Sequence, residues 1–199
     1  MGPGPNYWSK DNVWIDGMGY LHLKITKKLN HWYCAEVTTT TPLSFGTYQW
    51  QVDHELGALD PNVVLGLFHY AGPDGYREID VEYSRWGDPR NMGASWTVYP
   101  EKYPGKIKNK PFAITLTGMF TTSRYTWSSA GVSYVTMGGF QPIGTIANTI
   151  AAWNYTPTNS SVNIPQRSMP LCMNLWLLGG KAPVGKEEVE IIIRDFQKA

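Results

Sequence analysis

Apolar and polar side chains alternate with a period of two through much of the 199-residue chain, and no segment sustains the 3.6-residue repeat of a helix. Residues 12–16, a Gly17-Met18-Gly19 turn and residues 20–25 read as a hairpin, with Leu21, Leu23 and Ile25 facing inward. Residues 31–38 form a strand that sets Cys34, Glu36 and Thr38 on one side, and residues 47–52 form the next after a turn at 42–46. The run 63–70 is apolar on both faces and predicts a central strand; 71–75 is a turn from which 76–83 returns beside it. The pattern breaks at 87–91 and resumes over 94–99. Residues 100–111, rich in Pro and Lys, read as a loop, and 113–120, 124–127 and 132–136 as short strands. Residues 137–168 read as loops over one side, and 171–178 and 189–196 as closing strands. About ten strands with short turns and no internal repeat predict one all-β domain spanning the chain. We expect a jelly-roll β-sandwich of two antiparallel sheets with a concave cleft.

The segment Tyr76-Arg77-Glu78-Ile79-Asp80-Val81-Glu82-Tyr83 alternates acidic with apolar side chains. On a strand, Glu78, Asp80 and Glu82 project from one face while Ile79, Val81 and Tyr83 enter the other. Carboxylates crowded on one surface repel, and raising the pKa of one of them relieves the repulsion. Cα atoms four residues apart on a strand are separated by roughly 13 Å, and inclined Glu side chains bring the carboxyls to about half that. Retaining glycosidases use a separation of about 5–5.5 Å, so Glu78 and Glu82 fit a nucleophile and an acid/base. The same alternation also describes a half-exposed strand with its acids in water.

Composition favours the first of these. Charged residues are 17% of the chain and aromatics 14%, including nine Trp and twelve Tyr. That is more flat aromatic surface than one core needs, and sugar rings pack on such faces. A formal charge of +1 without a basic cluster gives no reason to expect nucleic acid, and no apolar run approaches the roughly 18 residues of a membrane span. Cys34 and Cys172 sit far apart in strand-like runs and read as isolated buried thiols, with no zinc-like spacing. The start Met1-Gly2-Pro3-Gly4-Pro5 shows no charged region followed by an apolar stretch, so we expect no export signal within these residues, which leaves open one removed earlier.

The strand Glu78-Ile79-Asp80-Val81-Glu82 resembles the signature of glycoside hydrolase family 16, the laminarinase and lichenase family, in its form without a bulge. Segments at 8–13, 21–23, 34–36, 45–48, 70–73, Trp127 and 173–176 resemble, in order, parts of bacterial lichenases. The resemblance implies a retaining endo-β-glucanase acting on 1,3-1,4- or 1,3-linked glucan. Glu78 would be the nucleophile, Glu82 the acid and then base, and Asp80 the group that tunes Glu78. It also points to Asn174 and Trp176, which share strand parity, as sugar-binding residues, to Tyr76 at the place of a Trp platform, and to Glu36 and Asn12 as polar cleft residues. Trp96 and Trp153 are further candidate platforms.

Three positions depart from the pattern. Thr38 stands where lichenases carry an Arg, Asn6 where a Cys would pair with the equivalent of Cys34, and Ile192 where an Asp helps hold a structural calcium. We therefore expect no cofactor. The expected partner is a polysaccharide or oligosaccharide, met by a monomer that is secreted or periplasmic. A transglycosylase of the same chemistry, or a lectin-like jelly roll without catalysis, are the alternatives.

Overall fold

The computed structural model describes residues 3–116 and 118–199. Among them are fourteen strands: β1 (Tyr7–Trp8), β2 (Val13–Ile15), β3 (Leu21–Lys28), β4 (His31–Thr38), β5 (Gly46–Asp53), β6 (Val63–Tyr70), β7 (Glu78–Tyr83), β8 (Gly93–Tyr99), β9 (Lys108–Ala113), β10 (Phe120–Trp127), β11 (Val132–Gly138), β12 (Thr149–Tyr155), β13 (Leu171–Leu177) and β14 (Val189–Lys198). They form one hydrogen-bonded path, β12-β11-β10-β5-β14-β3-β4-β13-β6-β7-β8-β9, with β1 on β4 and β2 on β3. Every pairing along that path is antiparallel. The path folds over at β3–β4 into two facing layers, the jelly-roll sandwich that the alternation predicts.

Between the layers lies one core, in which Trp50, Trp96, Trp127, Tyr48, Tyr83 and Tyr125 are fully buried. Rings of this size bury much apolar area but carry polar tips that need partners. Several are satisfied from the opposite layer: Tyr134 donates to the Thr97 carbonyl at 3.1 Å, and Tyr83 hydrogen-bonds to Ser123 and His69 to Tyr125. These contacts tie the β6–β8 sheet to β10 and β11 and fix its position. The central strand is β6, flanked by β13 and β7, as its two apolar faces predict.

Two predicted loops contain strands. Pro111 suggests a break, but β9 is the end of its sheet, where a missing N–H costs no ladder bond, and Lys108, Asn109 and Lys110 face water. Residues 149–155 form the other terminal strand, β12, which pairs only with β11 and so shows little burial contrast. The predicted strand 113–120 is not continuous: β9 ends at Ala113 and β10 begins at Phe120, and Thr117 lies outside the described residues, as do Met1 and Gly2.

Cys34 and Cys172 are both buried and unpaired. Asn6 does meet Cys34, whose thiol donates to Asn6 Oδ1 at 3.4 Å, while Asn6 Nδ2 donates to the Leu177 carbonyl at 2.9 Å. An amide thus tethers β1 to the sheet where a disulfide is absent. Ile192 pairs in register with Asp53, whose carboxylate is taken up by Arg194 at 2.6 Å. Among the described residues no three His, Cys, Asp or Glu side chains converge to hold a cation.

Candidate active site

Strand β7 divides its side chains as a period of two requires. Ile79, Val81 and Tyr83 are fully buried in the core, and Glu78, Asp80 and Glu82 project from the other face. Register with the neighbouring strands then decides what each acid meets. Glu78 lies between Tyr70 and Tyr99, Asp80 between Phe68 and Thr97, and Glu82 between Gly66 and Ser95. Together the acids floor a cleft of about 570 Å³ that Glu36, Asn174 and Trp176 also line.

Gly66 is the residue that lets these groups approach. A Cβ at that position would stand 2.5 Å from Asn174 Oδ1, so any side chain would push the amide away. Asn174, 2% exposed, donates from Nδ2 to Glu36 at 3.2 Å and leaves its Oδ1 without a protein partner. Asp80, 5% exposed, likewise has an unpartnered carboxyl oxygen. Buried polar atoms in this state cost stability, so their concentration on one cleft floor marks a surface built for a polar ligand.

All three acids hold their protons more tightly than ordinary carboxylates. Burial pushes Glu78 up to about 8, helped by the charges of Glu82 and Asp74, and a hydrogen bond from Asp80 opposes the rise. Asp80 is raised well above the usual carboxylate range, by burial and then by Glu78 and Glu82, and Glu82 is raised to about 7 by burial. The three titrate as a set. The first proton leaves around neutral pH; Glu82, at about 7, lies below Glu78, at about 8, whereas the hydrogen bond from Asp80 favours the charged form of Glu78 and of no other acid in the row.

Of the predicted binding residues, Glu36, Asn174 and Trp176 come together with the acids, and three others do not. Trp96 is the register partner of Val81 on β8 and therefore points into the core, stacked on Phe112 at 4.0 Å and Tyr134 at 5.4 Å. Asn12 is buried with its amide donating to the Tyr33 carbonyl and accepting from Thr26, which leaves it nothing to offer the cleft. Tyr76 precedes the strand: Arg77 has a φ of 53°, which breaks the alternation, and Tyr76 belongs to the 73–76 turn outside the cleft lining. Trp153 sits on β12, stacked on Tyr134 and Tyr155. At Thr38 the hydroxyl donates to Cys172 Sγ at 3.4 Å, so no cation stands there.

Other cleft residues escape the sequence reading. Phe68, Tyr70 and Tyr99 follow from strand parity once the register with β7 is known, but register is not written in one strand alone. Tyr70 donates to Asp74 at 2.6 Å, and this bond with burial pushes its hydroxyl up to about 12. Trp86, in the loop after β7, meets Trp176 edge-on with ring centres 6.3 Å apart. Nothing in its neighbourhood in the sequence marks it as a cleft residue.

The jelly-roll sandwich is a fold that the chain shares with solved β-glucanases. Among solved structures the chain is similar to a β-glucanase of Bacillus licheniformis, with 20% identity, a TM-score of 0.70, and coverage of 99% of this chain and 86% of that one. It is also similar to a prokaryotic β-1,3-1,4-glucanase (lichenase) derived from a mouse hindgut metagenome, with 18% identity, a TM-score of 0.68, and coverage of 99% and 87%. A third similar structure is an immunostimulatory antigen and pseudo β-1,3-glucanase of Mycobacterium tuberculosis, with 19% identity, a TM-score of 0.69, and coverage of 96% and 78%. No protein-family model matches the chain, and comparison with curated proteins finds no match. The likeness is one of fold.

Proposed function

We propose that the protein is a retaining endo-acting β-glucanase, a member of glycoside hydrolase family 16 that cleaves a 1,3-1,4- or 1,3-linked β-glucan by double displacement. The observation that carries this reading is the row of three proton-retaining carboxyls on the floor of a cleft flanked by Trp176, Trp86 and Tyr99. In the first step the Glu78 carboxylate attacks the anomeric carbon, the glycosidic C–O bond breaks, and the Glu82 carboxyl gives its proton to the departing oxygen. In the second, the Glu82 carboxylate takes a proton from water as that water attacks the same carbon and releases Glu78. Asp80 donates a hydrogen bond to Glu78 and so favours its charged form before attack and after release. The two outer acids divide the roles because only Glu78 accepts that bond. Each step as written uses carboxyls and water alone, and a polysaccharide substrate of this kind suits a secreted or periplasmic monomer.

The mycobacterial structure described as a pseudo β-1,3-glucanase favours a second reading, a cleft that binds glucan without cutting it. One experiment separates the two. Release of reducing ends from barley glucan, laminarin, agarose, carrageenan and xyloglucan is measured for the wild type and for Glu78→Gln and Glu82→Gln. Cleavage of a β-glucan that both variants lose while folded supports the hydrolase. Binding with no release from any polymer supports the lectin-like reading, and wild-type turnover in either variant sinks the assignment of roles.

A further inference from the structure

Residues 26–33 form a hairpin that leaves the body of the fold. The pairing of β3 with β14 ends at Ile25 and that of β4 with β13 starts at Ala35, so among the described residues β1 is the one other strand that pairs with this ribbon. Lys28 opposes His31, which leaves Leu29 and Asn30 as the turn. Leu29 has a φ of 55°, a region that Gly or Asn enters at lower cost, and at 93% it is the most exposed large apolar side chain among the described residues. Both features work against the fold, since a turn residue chosen for stability would be polar and unstrained. Behind the tip stand aromatic rings and lysines. Tyr7 meets His31 with ring centres 4.7 Å apart and Tyr33 at 5.7 Å, Lys27 Nζ lies 5.9 Å over the Trp32 ring, and Lys28 Nζ lies 5.8 Å over the Tyr33 ring. A ring face under an ammonium is closed to a sugar, so these are not stacking platforms for glucan.

We propose that this hairpin tip docks on a lipid bilayer with anionic headgroups, Leu29 entering the apolar phase and the lysines meeting the headgroups. The proposal stands on the tip alone and does not rest on the β-glucanase reading. Trp and Tyr side chains settle at the boundary between headgroups and acyl chains, and lysines beside them add attraction to negative lipids. The charges around the tip suit such a surface. From residue 17 to residue 35 the chain carries Lys24, Lys27 and Lys28 and no acid. Of the acids that approach from other segments, Glu188 is taken up by Lys24 at 3.2 Å and by the Lys27 backbone N–H, and Asp11 stands 3.5 Å from Lys28. Lys10, on the 3-10 turn packed against β3 and β4, adds a further cation, so Lys10, Lys27 and Lys28 face Asp11 alone. A soluble polyanion would use the same lysines but gives no reason for a strained, exposed Leu between them. Docking of this kind enters one leaflet and needs no membrane span.

Co-sedimentation with vesicles of phosphatidylcholine alone, and of phosphatidylcholine with about 30% phosphatidylglycerol, tests the proposal. The wild type should bind the anionic vesicles about tenfold more tightly than the neutral ones, reversibly, and be released by salt. Leu29→Asn keeps the turn, because Asn tolerates a positive φ, and should fold at least as stably while binding the anionic vesicles about tenfold more weakly. Lys27→Gln/Lys28→Gln should lose the preference for anionic over neutral vesicles. Thermal midpoints verify that both variants are folded. A wild type that stays in the supernatant with anionic vesicles overturns the proposal, as does wild-type binding by Leu29→Asn. Binding to heparin in place of vesicles assigns the lysines to a soluble polyanion and overturns it too. Glucan cleavage in solution should be unchanged in both variants, so this test and the hydrolase assay fail independently.

Discussion

Replacing Glu82 with Gln should abolish glucan cleavage and, at alkaline pH, make the protein more stable. The native structure raises Glu82 from 4.5 to about 7 by burying it, so between these two values the folded protein holds a proton that the unfolded chain has released. Over that window the native state binds more protons, and stability falls as pH rises. The contribution is fully present below 4.5 and is lost as pH passes 7. Each tenfold change in proton affinity is worth about 1.4 kcal/mol, which sets a ceiling of about 3 kcal/mol. Contact with water at the cleft lowers the expected gain of the variant to about 1–2 kcal/mol. Gln copies the shape of the protonated acid and cannot ionise, so the variant should match the wild type at about pH 4 and exceed it at about pH 8.5. Urea unfolding followed by Trp fluorescence at both pH values gives the difference, in which groups remote from Glu82 cancel, while Glu78 and Asp80, relieved of its charge, add to the gain at the higher pH. Equal stability of the two proteins at pH 8.5, or a destabilised variant there, would refute the claim that burial holds a proton on this side chain.

The same set of acids predicts a bell-shaped pH profile of kcat/KM with its maximum between about 7 and about 8, where one charge is shared by the three groups; a maximum near pH 4.5 would mean the acids are ordinary carboxylates. Gly66→Ala should raise KM several-fold through displacement of the Asn174 amide, with a loss of stability of about 1–3 kcal/mol, and glucan kinetics with urea unfolding test both. Trp96→Ala and Trp176→Ala should part company. The first leaves a core cavity costing about 3–5 kcal/mol in urea unfolding with no direct loss of sugar contact. The second, at a ring 8% exposed that both packs on the core and lines the cleft, also costs stability but in addition weakens glucan binding, read by titration calorimetry at a temperature where the variant is folded. Asn6→Cys should form a disulfide with Cys34, seen as two hydrogens lost by mass spectrometry, and add about 2–4 kcal/mol to stability.

Period-two alternation suffices for the sandwich and for the acidic row because both depend on parity within one strand. Glu36, Asn174 and Trp176 reach the cleft for the same reason. The errors share a different cause. Trp96 has the composition of a platform, but its parity is set by pairing with Val81 across strands, information that no local window holds. Tyr76 falls outside the cleft because Arg77, with its positive φ, interrupts the alternation just before β7 begins at Glu78. Terminal strands β9 and β12 are hidden since a strand with a neighbour on one side only tolerates Pro111 and shows weak alternation.

The unpartnered polar atoms show why an acidic strand here differs from a solvated one. Among the described residues such atoms occur in two settings. Trp50 Nε1, Trp96 Nε1, His69 Nε2 and Thr121 Oγ1 lie between the layers, whereas Asp80 Oδ1 and Asn174 Oδ1 lie on the cleft floor. A half-exposed strand would wet its acids, leave their proton affinities ordinary and leave no carboxyl oxygen without a partner. Strand β7 does the opposite: it buries Asp80 and half-buries Glu78 and Glu82, spaces them two residues apart, and leaves one oxygen unsatisfied in the middle. That arrangement lowers stability at neutral pH, and the fold sustains it because the aromatic core beneath, tied across the layers by Tyr83 and Tyr134, holds β7 and β8 in place regardless of the charge above them.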